Sequence, residues 1–215
     1  MTIVKPGKMD SRESFNRNRS INNYYQDDAV DPRNELLKLI SCYNPASKDE
    51  IAYKELILDF IKTNHDIGRN NEIGHITGSA FIVDKTRSKV LLNHHLKLDK
   101  WMQFGGHMEY GENVMETAGR EAAEETGIDD FHFLSDSIFD IDVHEIPDHK
   151  EQKSHLHFDI RYLIEAGTDA DFRISEESIN IKWIDFNNVS EYTDSESVLR
   201  MVRKVKSMDI GKPRK

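Results

Sequence analysis

The chain has 215 residues, 37% hydrophobic and 32% charged, with a formal net charge of −10 and one cysteine. That length suits one domain with a full core plus an accessory segment, and the acidic balance argues against a general nucleic-acid or membrane-surface binder, which needs a basic excess. The lone Cys42 excludes a disulfide framework and a zinc–cysteine site, and no apolar run approaches a membrane span.

Residues 1–30 are polar and without periodicity, and read as a mobile tail with Tyr24 and Tyr25 as docking points. Its Lys5, Lys8, Arg12, Arg17 and Arg19 are not followed by the apolar core of a secretory signal, so the cytoplasm is the expected compartment. Asp31-Pro32 predicts an N-cap with proline at the first helical position, and Leu36, Leu37, Leu39 and Ile40 a short helix stopped before Pro45. Ser47 and Glu50 form a capping-box pattern. Tyr53, Leu56, Ile57 and Phe60 follow at helical spacing, an amphipathic helix ending near Gly68. Residues 31–70 are therefore a helical extension whose apolar stripe is expected against the core, the alternative being a lid or a homodimer element.

The domain proper spans 71–208. Gly74–Asp84, Lys89–Asn93, Trp101–Phe104, Phe131–His144, His155–Glu165 and Ile179–Asp185 read as strands. Asp194 is placed to cap a last helix that buries Val198, Met201, Val202 and Val205, and residues 209–215 form a polar tail. There are no internal repeats and no P-loop or Rossmann glycine pattern.

The stretch from Gly105 to Ile128 carries the chemistry. Asn113 with Glu116 is a capping box and Gly127 a helix-ending glycine, so a helix of about three to four turns lies between them. Val114, Met115, Ala118 and Ala122 form its apolar stripe, and their small members allow close approach to a sheet. Glu121, Glu124 and Glu125 fall within an arc of roughly 100°. Arg120 alone cannot neutralise three neighbouring carboxylates, and hard divalent cations are their natural counter-charge. The paired Gly105-Gly106 lets backbone approach a ligand closely.

The spacing of Gly106, Glu112, Arg120-Glu121, Glu124-Glu125, Gly127 and Ile128 resembles the Nudix box at every fixed position, although Ala122 sits where a larger aliphatic is frequent. The resemblance implies a Nudix α/β/α sandwich with a mixed sheet. It also implies Mg²⁺- or Mn²⁺-dependent hydrolysis of a diphosphate linkage in a small-molecule nucleoside diphosphate derivative. Glu121, Glu124, Glu125 and the Gly105 carbonyl would hold the metal, Glu112 would support the loop or the metal shell, and Arg120 would orient Glu121. The general base is open between Glu121 and a loop acid, Glu176 or Glu177. A ligand-sensing module without turnover and RNA 5′-end processing are the alternatives, the second disfavoured by the acidic balance. A diphosphate isomerase is discounted because Cys42 lies in the extension. Segments such as His75–Ala80, Leu91–His95 and Asp142–Pro147 resemble a bacterial Nudix group with a helical N-terminal extension.

A second polar constellation lies outside the box. Asp140, Asp142 and His144 alternate with apolar residues on one strand, as do His155, His157, Asp159 and Arg161 on the next. Under helices on both sides, such a polar sheet face must line a cavity. Asp142, His144, His155, His157 and Asp159, with His107 beside the box, are therefore expected to bind substrate, and Asp142 is expected near His157. A second metal held by His155, His157 and Asp159 is the weaker alternative.

Overall fold

The sheet is built on a parallel pair, β1 (Gly74–Asp84) and β7 (His155–Ala166), in register from Gly74↔Leu156 to Asp84↔Ala166. The structure, a computed structural model, describes residues 32–148, 153–169 and 172–208. Every residue of β1 is buried, as expected for a strand with layers on both faces. One edge of β1 pairs with β2 (Lys89–His95) at Ile82–Val83 and with β4 (Phe104–His107) at Thr77–Ala80. β2 continues to β3 (Lys100–Met102) and β8 (Ser178–Asp185). The far edge of β7 takes β5 (Phe131–Phe133) and β6 (Asp140–Ile146), both antiparallel.

Alternation along the strands assigns the two layers. Ile76, Ala80 and Ile82 share a hydrophobic cluster with Val114, Ala118 and Ala122 of helix α3 (Val114–Thr126). Two N-terminal helices join that cluster, α1 (Pro32–Cys42) through Leu36 and Ile40, and α2 (Lys48–Thr63) through Ile57, Phe60 and Ile61. The Phe60 ring stacks on Phe158 of β7 at 4.1 Å. Phe81 and Val83 face the other way, onto Val198, Met201, Val202 and Val205 of α4 (Glu196–Ser207). The α/β/α sandwich with a mixed sheet is thus the observed architecture, and the N-terminal helices lie on its α3 side.

Several local expectations shift. Helix α2 stops at Thr63 with Asn64 as its cap, short of Gly68, and Leu56 is 49% exposed while Ile61 takes its place in the core. Ser47 Oγ accepts the Glu50 amide at 3.2 Å, but the Glu50 carboxylate turns inward to Tyr43 and Lys204, so only half of a capping box forms. Ser195, not Asp194, precedes α4 as its cap. The expected strand Phe131–His144 is two strands. Leu134 N bonds Leu163 O and Phe139 N bonds Arg161 O, so five steps of one chain span two of the other, and Ser135-Asp136-Ser137 loops out. The tails, 1–30 and 209–215, and the Asp31 cap lie outside the described residues.

Candidate active site

Helix α3 is fixed at both ends. Asn113 Oδ1 accepts the Met115 and Glu116 amides at 2.9 and 3.0 Å, and Glu116 returns to the Asn113 amide at 2.8 Å. Gly127 closes the helix in the left-handed conformation at φ 70°. The helix axis and rotation being set, its carboxylates meet the β4 backbone. Glu125, 9% exposed, accepts the Gly105 amide at 2.9 Å and Asn93 Nδ2 at 3.0 Å. Glu121 lies over Gly106 so closely that a Cβ there would sit 2.3 Å from Glu121 Oε1. The three acids are not equivalent: the Glu124 side chain is 61% exposed and turns toward solvent.

Arg120 ties the site together. It forks onto both Glu112 oxygens at 2.7 and 3.0 Å, reaches Glu121 at 2.9 Å and Glu124 at 3.1 Å, and donates to the His107 carbonyl at 2.9 Å. Glu112 also accepts the Glu109 amide and Thr117 Oγ1, and Arg120 chiefly lowers its pKa to about 2. Glu112 thus acts as the clamp that closes the Gly106–Asn113 loop onto the helix.

The remaining charge is not balanced. Burial pushes Glu125 up to about 7 against the Gly105 hydrogen bond, with Glu121 and Glu177 adding repulsion. Burial also raises Glu121, despite Arg120. This donor set fits a hard divalent cation. It is all-oxygen and clustered, and among the described residues Arg120 is the one cationic side chain hydrogen-bonded to Glu121, while Glu125 is held by an amide and an asparagine. Glu121, Glu124, Glu125 and the Gly105 carbonyl are the groups that would hold it. Of the two loop acids, Glu177 is the one whose charge acts on Glu121 and Glu125, and its carbonyl accepts the Leu96 amide at 2.8 Å. Glu176 is exposed.

On the opposite face of β1 lie the histidines. β6 pairs with β7 so that His144 stands opposite His157 and Asp142 opposite Asp159. Asp142 therefore does not face His157 as expected. It accepts from Arg200 at 3.2 Å and contacts His144 Nδ1 at 3.1 Å and Arg161 at 3.2 Å. Asp159 is buried against Arg161 at 2.7 Å, with Thr77, Ser79 and Gln103 donating to it. Two acids opposite each other on a covered sheet require cations, and β7 and α4 supply them. His107, His155 and His157 instead gather around His75, with ring centroids 5.0, 4.6 and 5.7 Å from it. Burial lowers His157 to about 3 and His107 to about 4. A cleft of about 210 Å³ opens beside this cluster rather than over the carboxylates, lined by His75, His155, Arg69, Glu72 and Lys153 among others.

Sequence reasoning missed Asn93 and His75. Asn93 sits 32 residues from its partner Glu125, with no spacing to reveal it. His75 left one signal: His75, Thr77 and Ser79 give an otherwise apolar strand a polar face, yet only the parallel pairing His75↔His157 shows what that face meets.

Residues 75–204 match the Nudix domain family. A Lactococcus lactis subsp. cremoris (strain MG1363) protein named a probable DHNTP pyrophosphohydrolase is 30% identical over 106 residues, 48% of this chain and 61% of the relative, so the chain spans under two thirds of that relative's length. Among solved structures, a C. elegans Ap4A hydrolase binary complex is 20% identical, with 61% of this chain and 95% of that one covered at a TM-score of 0.49. The E. coli dihydroneopterin triphosphate pyrophosphohydrolase is 18% identical, with 60% and 92% covered at a TM-score of 0.47. The family match takes in more than half of the chain, including the whole carboxylate cluster and its arginine clamp, and the chain belongs to the Nudix domain family.

Proposed function

We propose that this chain is a divalent-metal-dependent Nudix pyrophosphohydrolase, using Mg²⁺ or Mn²⁺, that cleaves a diphosphate linkage in a small-molecule nucleoside diphosphate derivative in the cytoplasm. The observation that carries this reading is the meeting of Glu121 and Glu125 with the Gly105-Gly106 backbone, with Arg120 bonded to Glu121 and not to Glu125. The name of the Lactococcus relative, a pyrophosphohydrolase, supports the same reaction class.

A divalent cation, when bound, supplies positive charge against the diphosphate oxygens and acidifies a water. The residues provide the rest. Asn93 and the Gly105 amide hold Glu125 in place, and Arg120 holds Glu121 and Glu124. Water attacks phosphorus, the anhydride P–O bond breaks, and the leaving phosphate carries the electron pair away. Glu121 and the loop acid Glu177 are the two candidates to take the water's proton, Glu177 because its charge acts on Glu121 and Glu125. Asp142 and Asp159 are occupied by arginines, and His107, His144, His155 and His157 lie on the sheet face opposite the carboxylates, so none of them is assigned to the group attached to the diphosphate.

The test is Glu125→Gln beside Glu124→Gln. Each keeps shape and removes a charge, and turnover should fall by at least about 100-fold. Thermal stability should be nearly unchanged, since Glu124 is exposed and the amide oxygen introduced by Glu125→Gln can still accept one hydrogen bond. Near-normal turnover in both variants would sink the assignment.

A further inference from the structure

Three of the histidines have no role in the carboxylate cluster, and their arrangement is specific. His75, His155 and His157 each offer one ring nitrogen, and these nitrogens lie within 4.8 Å of one another. His75 and His155 are 2% and 6% exposed. His75 Nδ1 lies 2.9 Å from the Gly68 carbonyl and His155 Nδ1 lies 2.8 Å from the Lys153 carbonyl. A carbonyl only accepts, so each ring carries a proton on Nδ1, and in the neutral ring Nε2 then keeps the lone pair. Backbone carbonyls holding the far nitrogen in this way orient the rings of metal-binding histidines.

Two of the three rings leave Nε2 without a partner. His75 Nε2 and His157 Nε2 are buried without a hydrogen-bond partner among the described residues, and so is the neighbouring His107 Nε2. Burying such atoms unpaired is costly, and native structures avoid it. A single water donates only two protons, fewer than the nitrogens that converge here. A cation satisfies all of them at once.

We propose that His75, His155 and His157 form a second metal site, for a borderline transition ion of the Zn²⁺ class, distinct from the carboxylate cluster. The ligand chemistry separates the two: imidazole nitrogens suit Zn²⁺, Co²⁺ or Ni²⁺, while oxygen clusters suit Mg²⁺ or Mn²⁺. Two nitrogens on one tetrahedral zinc stand roughly 3.3 Å apart, from bond lengths of about 2.0–2.1 Å, so small ring rotations close the observed spacing. Asp159 is not a ligand, because Arg161, Thr77, Ser79 and Gln103 already surround its carboxylate. Three protein ligands leave one position open, and the cleft that His75 and His155 line gives it access to solvent. The site lies in the next strand pair from the box: His107, whose ring faces the histidines, has its carbonyl held by Arg120. This inference does not depend on the hydrolase reading.

The experiment uses the full chain, stripped with EDTA and returned to excess Mg²⁺ so that the oxygen cluster is occupied. Co²⁺ is titrated in and its visible absorption recorded, with Zn²⁺ then used to displace it. The site predicts one equivalent of Co²⁺ with the intense visible bands of tetrahedral coordination, displaced by Zn²⁺ and not by further Mg²⁺. His75→Gln and His155→Gln should each weaken binding at least tenfold, whereas Glu125→Gln should leave it within twofold. His75→Cys should keep the ion and add a thiolate-to-cobalt absorption. Absence of a stoichiometric cobalt spectrum in the wild-type chain overturns the proposal whatever the variants do, as does binding lost in Glu125→Gln and kept in His75→Gln.

Discussion

Gly106→Ala is the sharpest perturbation of the carboxylate cluster, because it inserts one methyl group where the structure leaves no room. The new Cβ would stand 2.3 Å from Glu121 Oε1 and 2.7 Å from its Cδ, against the 3.4 Å at which ordinary contact begins. The carboxylate must therefore retreat by about 1 Å, and in doing so it leaves the 2.9 Å contact with Arg120. A displacement of that size at a reacting group costs about 100-fold in rate. Stability should change little, since the atoms in the way are the end of a flexible side chain and Gly106 lies in strand-paired backbone opposite Gly78. The assay is steady-state turnover on the best substrate of the wild-type chain, with the melting temperature measured in parallel. Turnover within about twofold of wild type, at unchanged melting temperature, would refute the placement of Glu121 against Gly106 as a condition of activity.

Arg161→Met should destabilise the fold by about 3–5 kcal/mol in urea unfolding, because it leaves the buried Asp159 without its cation and takes one of the cations from Asp140 and Asp142; a loss under about 1 kcal/mol would show that Thr77, Ser79 and Gln103 suffice for Asp159. Phe60→Ala, at a 4%-exposed ring stacked on Phe158, should cost about 3–5 kcal/mol, and a fully active, soluble 69–215 fragment would show that the helical extension is dispensable. Asp84 should add to acid sensitivity. Burial alone would raise its pKa, but hydrogen bonds from Thr86, Lys89 and Ser88 prevail and lower it. Its stabilisation is therefore present above the unfolded-state pKa of about 3.8 and lost as pH falls through the lower folded value, so Asp84→Asn should flatten the acid limb of a stability–pH profile.

The box helix is legible in the sequence because its determinants are local. Asn113, Glu116 and Gly127 fix its ends within one stretch of chain, and its period places Val114, Ala118 and Ala122 inward. The strands and the β6–β7 hairpin are legible from alternation, but not the other strand partners. Nothing in the spacing of His75 and His157 announces that β1 and β7 run parallel, and that pairing alone assembles the histidine cluster. Asp142 reads as a substrate ligand because its partner Arg200 lies 58 residues away on α4 and only the fold brings the two together, whereas the cation of Asp159, Arg161, stands two residues along the same strand. Leu56 reads as core for a simpler reason. The helical stripe of α2 is broad enough to be read one turn early, and the position of Phe158 selects Ile57, Phe60 and Ile61.

If the carboxylates on α3 support metal-dependent cleavage of a diphosphate linkage, a substrate panel must reveal it. The panel comprises NDP-sugars, ADP-ribose, dinucleoside polyphosphates, NTPs and capped RNA, incubated with Mg²⁺ or Mn²⁺ and resolved by product analysis. Cleavage is expected within the phosphate chain of at least one nucleoside diphosphate derivative, abolished by EDTA, restored by Mg²⁺ or Mn²⁺, and reduced at least about 100-fold in Glu125→Gln. Turnover that persists after EDTA, or no product from any member of the panel with either ion, would contradict it.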